Sequence, residues 1–154
     1  MKTPGKRRTQ EIGWREIIAL PELGILAMPA KIDTGARSSA LHATHIREVM
    51  HEGKECVSFR ARVPGFNQPQ PLTMPLVDVR DVKNTGGIAQ RRYVIKTRLV
   101  MADRSWPIEI TLTNRKNMTF ELILGRTAVR DQGLLVNSGR SYLLGAPLHT
   151  SAAV

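Results

Sequence analysis

Cysteine is nearly absent from this chain. Cys56 stands alone, so no disulfide can form within the chain, which fits a reducing compartment. Aromatic residues are scarce, seven among 154. They do not interleave with the basic residues as a stacking platform for single-stranded nucleic acid requires. No apolar run approaches the roughly 20 residues that span a bilayer. No apolar stretch follows the polar, basic residues 1–10, so neither a membrane association nor a signal peptide is expected, and the expected location is cytoplasmic. No segment keeps a 3.6-residue period over three turns, which removes helical folds. Acids are outnumbered, with 13 Asp and Glu against 23 Lys and Arg and a net charge of +10. That excess points to an acidic partner without choosing among nucleic acid, an anionic membrane surface and an acidic peptide.

Several chemical signatures are also missing. There is no Gly-rich run into Gly-Lys-Ser or Gly-Lys-Thr to cradle a nucleotide, and no His-Glu-x-x-His. His42 and His45 are three apart with no acid between them, in a segment that reads as strand or loop. His51, Cys56 and His149 join them as ligands only by accident of folding. Ser38 and Ser39 lie near a carboxylate, but no Gly-x-Ser-x-Gly elbow surrounds them. Neither a metal nor any other cofactor is expected.

What the chain does contain is short apolar or alternating runs, punctuated by Gly, Pro, Asn and Asp. These read as strands over residues 14–20, 24–28 and 30–33 (on either side of Pro29), 41–50, 56–63, 72–82, 91–101, 106–113, 120–124, 134–136 and 141–144. Glu52-Gly53 is a turn, and residues 83–87 form a glycine-rich hairpin tip that includes Asn84-Thr85-Gly86. Asn137-Ser138-Gly139 is a further turn. Only residues 126–132 look helical. The expectation is one all-β domain over residues 12–146, a closed barrel with one short helix. A basic flexible tail over residues 1–11 precedes it, and a short tail over 147–154 follows.

Asp33-Thr34-Gly35 ends the apolar run at residues 30–33. A charge at the end of a buried strand is costly unless it has partners or a task; the plainer reading is a hairpin turn. Two features favour the task. Ile123-Leu124-Gly125-Arg126, an apolar strand ending in Gly, follows about 90 residues downstream. The Gly-tipped hairpin lies between, long enough to fold over a cleft. In this order and spacing the three resemble a retropepsin-type aspartic protease.

The wording around Ile12-Gly13-Trp14-Arg15-Glu16, Leu20-Pro21-Glu22-Leu23-Gly24-Ile25, residues 31–43, and Leu112-Thr113-Asn114-Arg115 through Gly125-Arg126 is similar to one bacterial family. It goes under the name ATP-dependent zinc protease and includes the RimB-type partners of the RimK glutamate ligase. The resemblance implies that Asp33 is catalytic and that Thr34 braces the pair across two subunits. It further implies that Gly35 lets the backbone approach substrate, that Ala36 belongs to the active-site support, that residues 81–92 form a flap, and that Gly125 and Arg126 support the Asp33 loop. Arg126 reads equally as a surface helix start. A peptidase of this type needs two carboxylates sharing a proton, and this chain offers one Asp-Thr-Gly. The active form is therefore expected to be a symmetric homodimer.

Arg37, Lys83, Arg91 and Arg92 are candidate contacts to an acidic substrate. The family resemblance implies a glutamate-rich one, such as a glutamylated ribosomal protein tail. The same residues also read as a solvated strand face. The alternative to an aspartic endopeptidase is a catalytically silent module that binds a ribosome or nucleic acid through its basic surface.

Overall fold

The computed structural model describes residues 8–83, 86–115 and 119–148. In chain order the strands are β1 (Gln10–Gly13), β2 (Arg15–Leu20), β3 (Ile25–Asp33), β4 (Ser39–His42), β5 (Thr44–His51), β6 (Lys54–Ala61), β7 (Gln70–Pro75), β8 (Asp78–Lys83), β9 (Ala89–Met101), β10 (Arg104–Thr113), β11 (Leu122–Gly125) and β12 (Leu134–Asn137). A single turn of helix, α1 (Arg126–Val129), follows β11 directly. The largest sheet runs β10-β4-β11-β3-β2-β9-β8, and an added β9–β10 pairing closes six of these strands into a ring. The expected all-β, retropepsin-like architecture is therefore present.

One insertion organises the site. Strands β3 and β4 are consecutive in sequence, yet β11 lies between them, parallel to β3 and antiparallel to β4. Its register places Gly125 beside Asp33. The loop over residues 34–38, which joins β3 to β4, must then cross over the end of β11.

The two faces of this sheet have separate fates. Ile32, Leu41, Ile95, Ile110, Leu112, Leu122 and Leu124 enter the hydrophobic core. Side chains alternate along a strand, so Asp33, Ala40, Thr111, Ile123, Val94 and Arg92 share the opposite face. Hydrogen bonding at the end of the chain adds a second constraint. Glu16 is fully buried and accepts from the N–H groups of Gly13 (2.7 Å), Leu143 (2.9 Å) and Leu144 (3.2 Å).

Several elements depart from the sequence expectations for identifiable reasons. The pattern at 24–33 forms one strand through Pro29, because β11 reaches only as far as Ala30 and leaves that side without a ladder bond to lose. Residues 41–50 break at Ala43, where the chain leaves the main sheet for the separate β5-β6-β7 sheet. Residues 72–82 break similarly at Leu76 and Val77. Leu76 N–H bonds back to Glu55 in the small sheet, while Val77 N–H bonds forward to Val94 in the large one. The expected strand at 141–144 is not one; Tyr142 has a φ of 54° and the segment is held by Glu16 instead. Helix α1 stops at Val129, short of residue 132. The Glu52-Gly53 turn joins β5 to β6 as expected, with φ of 51° and 76° at its two residues.

Candidate active site

Asp33 is the last residue of β3 and is half-buried. Its Oδ1 accepts the Gly35 N–H at 3.1 Å, and its carbonyl accepts the Ala36 N–H at 3.1 Å. These two bonds curl the backbone beneath the carboxylate. Oδ2 receives no bond from a described side chain or backbone group. Thr34 and Gly35 are exposed on the outer side of the loop, so the loop presents its apex outward.

The start of α1 holds this loop from below. Arg126 N–H donates to the Ala36 carbonyl at 2.8 Å, and Arg126 Nη1 donates to the Gly35 carbonyl at 3.2 Å. Thr127 Oγ1 donates to the Arg37 carbonyl at 2.7 Å. Gly125 N–H donates to the buried Ser39 Oγ at 3.1 Å. Arg126 thus both begins the helix and grips the loop. Thr127 was not singled out from the sequence and Ser39 was weighed there only as a nucleophile, although a hydroxyl directly after Gly-Arg and one six residues after Asp33 were visible signals.

Gly125 has a φ of −79°, open to any residue, so its requirement is one of space. A Cβ there would lie 2.7 Å from the Ser38 carbonyl carbon and oxygen and 2.8 Å from the Arg37 oxygen. All three are backbone atoms and none can swing aside. Gly125→Ala is expected to destabilise by about 1–3 kcal/mol and to displace the Asp33 loop. Chemical denaturation checks the first effect, and amide exchange at residues 34–38 the second.

The basic candidates fall into different settings. Arg37, Lys83 and Arg91 are exposed, whereas Arg92 is buried at 6 % exposure. Arg91 and Arg92 are neighbours in β9 and therefore point to opposite faces. Arg80, directly across from Arg92 on β8 and so on the same face, bridges Asp78 at 2.7 Å and Glu109 at 2.8 Å. Hydrogen bonding from Arg80, then from the Val79 N–H, holds the Asp78 carboxyl below its usual range. Burial, reinforced by the nearby Arg115, pulls Arg92 below the ordinary arginine value. Asn84 and Thr85 at the hairpin tip lie outside the described residues, as do His149 and most of both tails.

His42 and His45 are engaged locally. His42 Nδ1 accepts the Arg115 N–H at 3.1 Å, and His45 lies against Thr44 Oγ1 at 3.2 Å. A pocket away from Asp33 is lined by His42, Arg60, Arg62, Phe66, Pro69 and Glu121.

Comparison with known proteins identifies the family and the fold. The model of the RimB-like family, described as retropepsin-like aspartic endopeptidase RimB, matches residues 11–147. A protein of Desulfotalea psychrophila named "Probable alpha-L-glutamate ligase" is 37% identical over 136 residues, covering 87% of this chain and 29% of that protein. One of the same name from Parasynechococcus marenigrum is 39% identical over 137 residues, with 87% and 29% covered. The chain therefore spans less than a third of the length of these curated relatives. The crystal structure of Lpg0085, a Legionella pneumophila protein of unknown function, superposes with a TM-score of 0.71 at 28% identity, covering 87% of this chain and 97% of that one. From the match across residues 11–147 and the shared architecture, the chain belongs to the RimB-like family of retropepsin-like aspartic endopeptidases.

Proposed function

We propose that the chain hydrolyses peptide bonds as a symmetric homodimer in which two Asp33 carboxylates meet at the two-fold axis. The observation that carries this reading is the Asp33 loop itself. It holds one carboxylate rigidly from behind through Gly125, Arg126 and Thr127 while leaving Oδ2 and the Thr34-Gly35 apex uncovered. One carboxylate cannot be both base and acid in the same step, and a C2 axis supplies its twin. Two carboxylates about 3 Å apart share a single proton. The ionised one takes a proton from a water whose oxygen attacks the carbonyl carbon, and the protonated one donates towards the carbonyl oxygen. Collapse of the tetrahedral species breaks the C–N bond: the leaving nitrogen takes the proton the first carboxylate drew from water, and a hydroxyl of the diol returns a proton to the second. In this dimer Thr34 braces one loop against the other, a role its exposure at the apex supports.

The dimer reading draws support from the sheet made by β1 and β12. It has two strands only, and Leu135 on β12 is 61% exposed. Unpaired edges with an exposed leucine favour a covering partner.

The substrate is an acidic, glutamate-rich peptide segment, such as a glutamylated ribosomal protein tail. The net charge of +10 and the exposed Arg37, Lys83 and Arg91 favour acidic chains by steering. The glutamate ligase name of the relatives points the same way, since a hydrolase module within such proteins would act on the bond the ligase makes. Incubation with a peptide ending in several glutamates tests the reading by mass spectrometry. Two fragments whose masses sum to substrate plus one water support it. Intact peptide, bound but uncleaved by freshly prepared dimer, leaves the silent binding module in its place.

A further inference from the structure

Arg92 is the one buried cation among the described residues, and no described carboxylate bonds to it. Its Nε donates to Gln90 Oε1 at 3.1 Å and its Nη1 to Thr111 Oγ1 at 3.3 Å. Both acceptors are neutral. Each is also fixed by a further bond: Thr111 Oγ1 donates its own hydrogen to the Ser39 carbonyl at 2.7 Å, and Thr113 Oγ1 donates to Gln90 Oε1 at 3.4 Å. Nη2 has no partner among the described residues. A second cation, Arg115, stands close enough to disfavour the charge on Arg92, and its backbone is anchored by His42.

Taking a cation out of water is costly when no anion accompanies it. A fold optimised for stability alone would place an apolar side chain here or supply a carboxylate. Glu109 is near in sequence register but is taken by Arg80. An unpaired guanidinium held in place by two pre-oriented neutral acceptors, with another cation beside it, is instead complementary to an incoming anion.

The location identifies that anion. Arg92 shares its sheet face with Asp33, and the rows Asp33–Gly125, Ile123–Ala40 and Ala40–Thr111 connect them across neighbouring strands. Thr111 is three strands from β3 and two residues along from the Asp33 row, roughly 16 Å at the usual strand spacing and rise. That is the span of about five extended residues, less the reach of the two side chains.

We infer that Arg92, seated on Thr111 and Gln90 and flanked by Arg115, is a specificity-determining residue whose free guanidinium edge binds a side-chain carboxylate of the substrate two or three positions from the scissile bond. The inference rests on the peptidase reading for its register with the scissile bond. Its binding component is separable from cleavage.

The test therefore measures binding with chemistry disabled. Fluorescein-labelled hexaglutamate and hexaglutamine are titrated into the Asp33→Asn protein by anisotropy, with and without a second substitution. Hexaglutamate is expected to bind at least tenfold more tightly than hexaglutamine. Arg92→Gln is expected to remove most of that preference, and Arg92→Lys to retain part of it. Because the buried charge is uncompensated, Arg92→Gln should leave Tm unchanged or higher; a merely structural arginine would lower it. An undiminished preference for hexaglutamate in folded Arg92→Gln overturns the inference. So does tighter binding of single-stranded oligothymidylate than of hexaglutamate, or no binding of either peptide. If Arg92-dependent binding appears but wild-type protein cleaves no acidic peptide, the peptidase reading fails and this subsite stands.

Discussion

Asp33→Asn is expected to reduce cleavage of a glutamate-tailed peptide by about 1,000-fold or more while leaving the thermal transition close to that of the wild type. Acid–base catalysis by a positioned carboxylate contributes about 100- to 10,000-fold, and this substitution removes it from both halves of the dyad. An amide accepts through its oxygen, so the bond from the Gly35 N–H to the residue 33 side chain survives. The loop's remaining bonds involve backbone or other side chains and are untouched: Arg126 to Gly35 and Ala36, and Thr127 to Arg37. The separation of the two readouts is the informative part. A large fall in Tm alongside the lost activity would mean Asp33 is a structural turn residue, whereas cleavage at near wild-type rate would remove it from the chemistry.

The largest effect on stability is expected at Glu16. Its carboxylate is completely buried and is the common acceptor for three backbone N–H groups, two of them on the segment that follows β12. Glu16→Ala leaves all three donors without partners and opens a void. An unsatisfied buried donor costs about 1–3 kcal/mol, and relaxation recovers part of the total, so a loss of about 3–5 kcal/mol is expected. Glu16→Gln keeps the volume but turns an NH2 towards at least one of the donors, for an expected loss near 2 kcal/mol. Glu11 provides the comparison. It is exposed and bonded to Asn137 Nδ2 at 2.7 Å, and Glu11→Gln is expected to change stability by less than about 1 kcal/mol. Urea denaturation of the three variants decides the matter; equal small shifts at positions 11 and 16 would refute the anchoring role.

Glu16 also illustrates where the sequence stops being readable. Its partners Leu143 and Leu144 are 127 and 128 residues away, and nothing local distinguishes it from the exposed Glu11. Features determined within a few residues were legible: the Glu52-Gly53 hairpin, the glycine-tipped hairpin joining β8 to β9, and the strand ending at Asp33. The strand breaks at Ala43 and at Leu76-Val77 were not. No Gly, Asn or Asp turn signal stands at either point, and only the tertiary pairing shows that the chain changes sheets there.

The candidate site divides along the same line. Asp33, Thr34, Gly35, Gly125 and Arg126 form a recognisable pair of motifs, and the fold brings them together because β11 inserts between β3 and β4. The basic residues carry no such signature. Arg91 and Arg92 are indistinguishable as letters, yet one is exposed and the other buried on the Asp33 face. That distinction requires the register of β9 against β10, which places Val94 opposite Thr111 and so turns Arg92 to the face that carries Asp33.

The central claim is that two Asp33 carboxylates act as one site, and co-expression of wild-type and Asp33→Asn chains tests it most directly. Random pairing at equal amounts leaves about one quarter of the dimers with two carboxylates. The account predicts that peptidase activity falls to about that fraction of an equal mass of wild-type protein, tracking the square of the wild-type share across other ratios. Activity that falls only in linear proportion, to about one half at equal amounts, would show that each Asp33 works alone and would contradict the account.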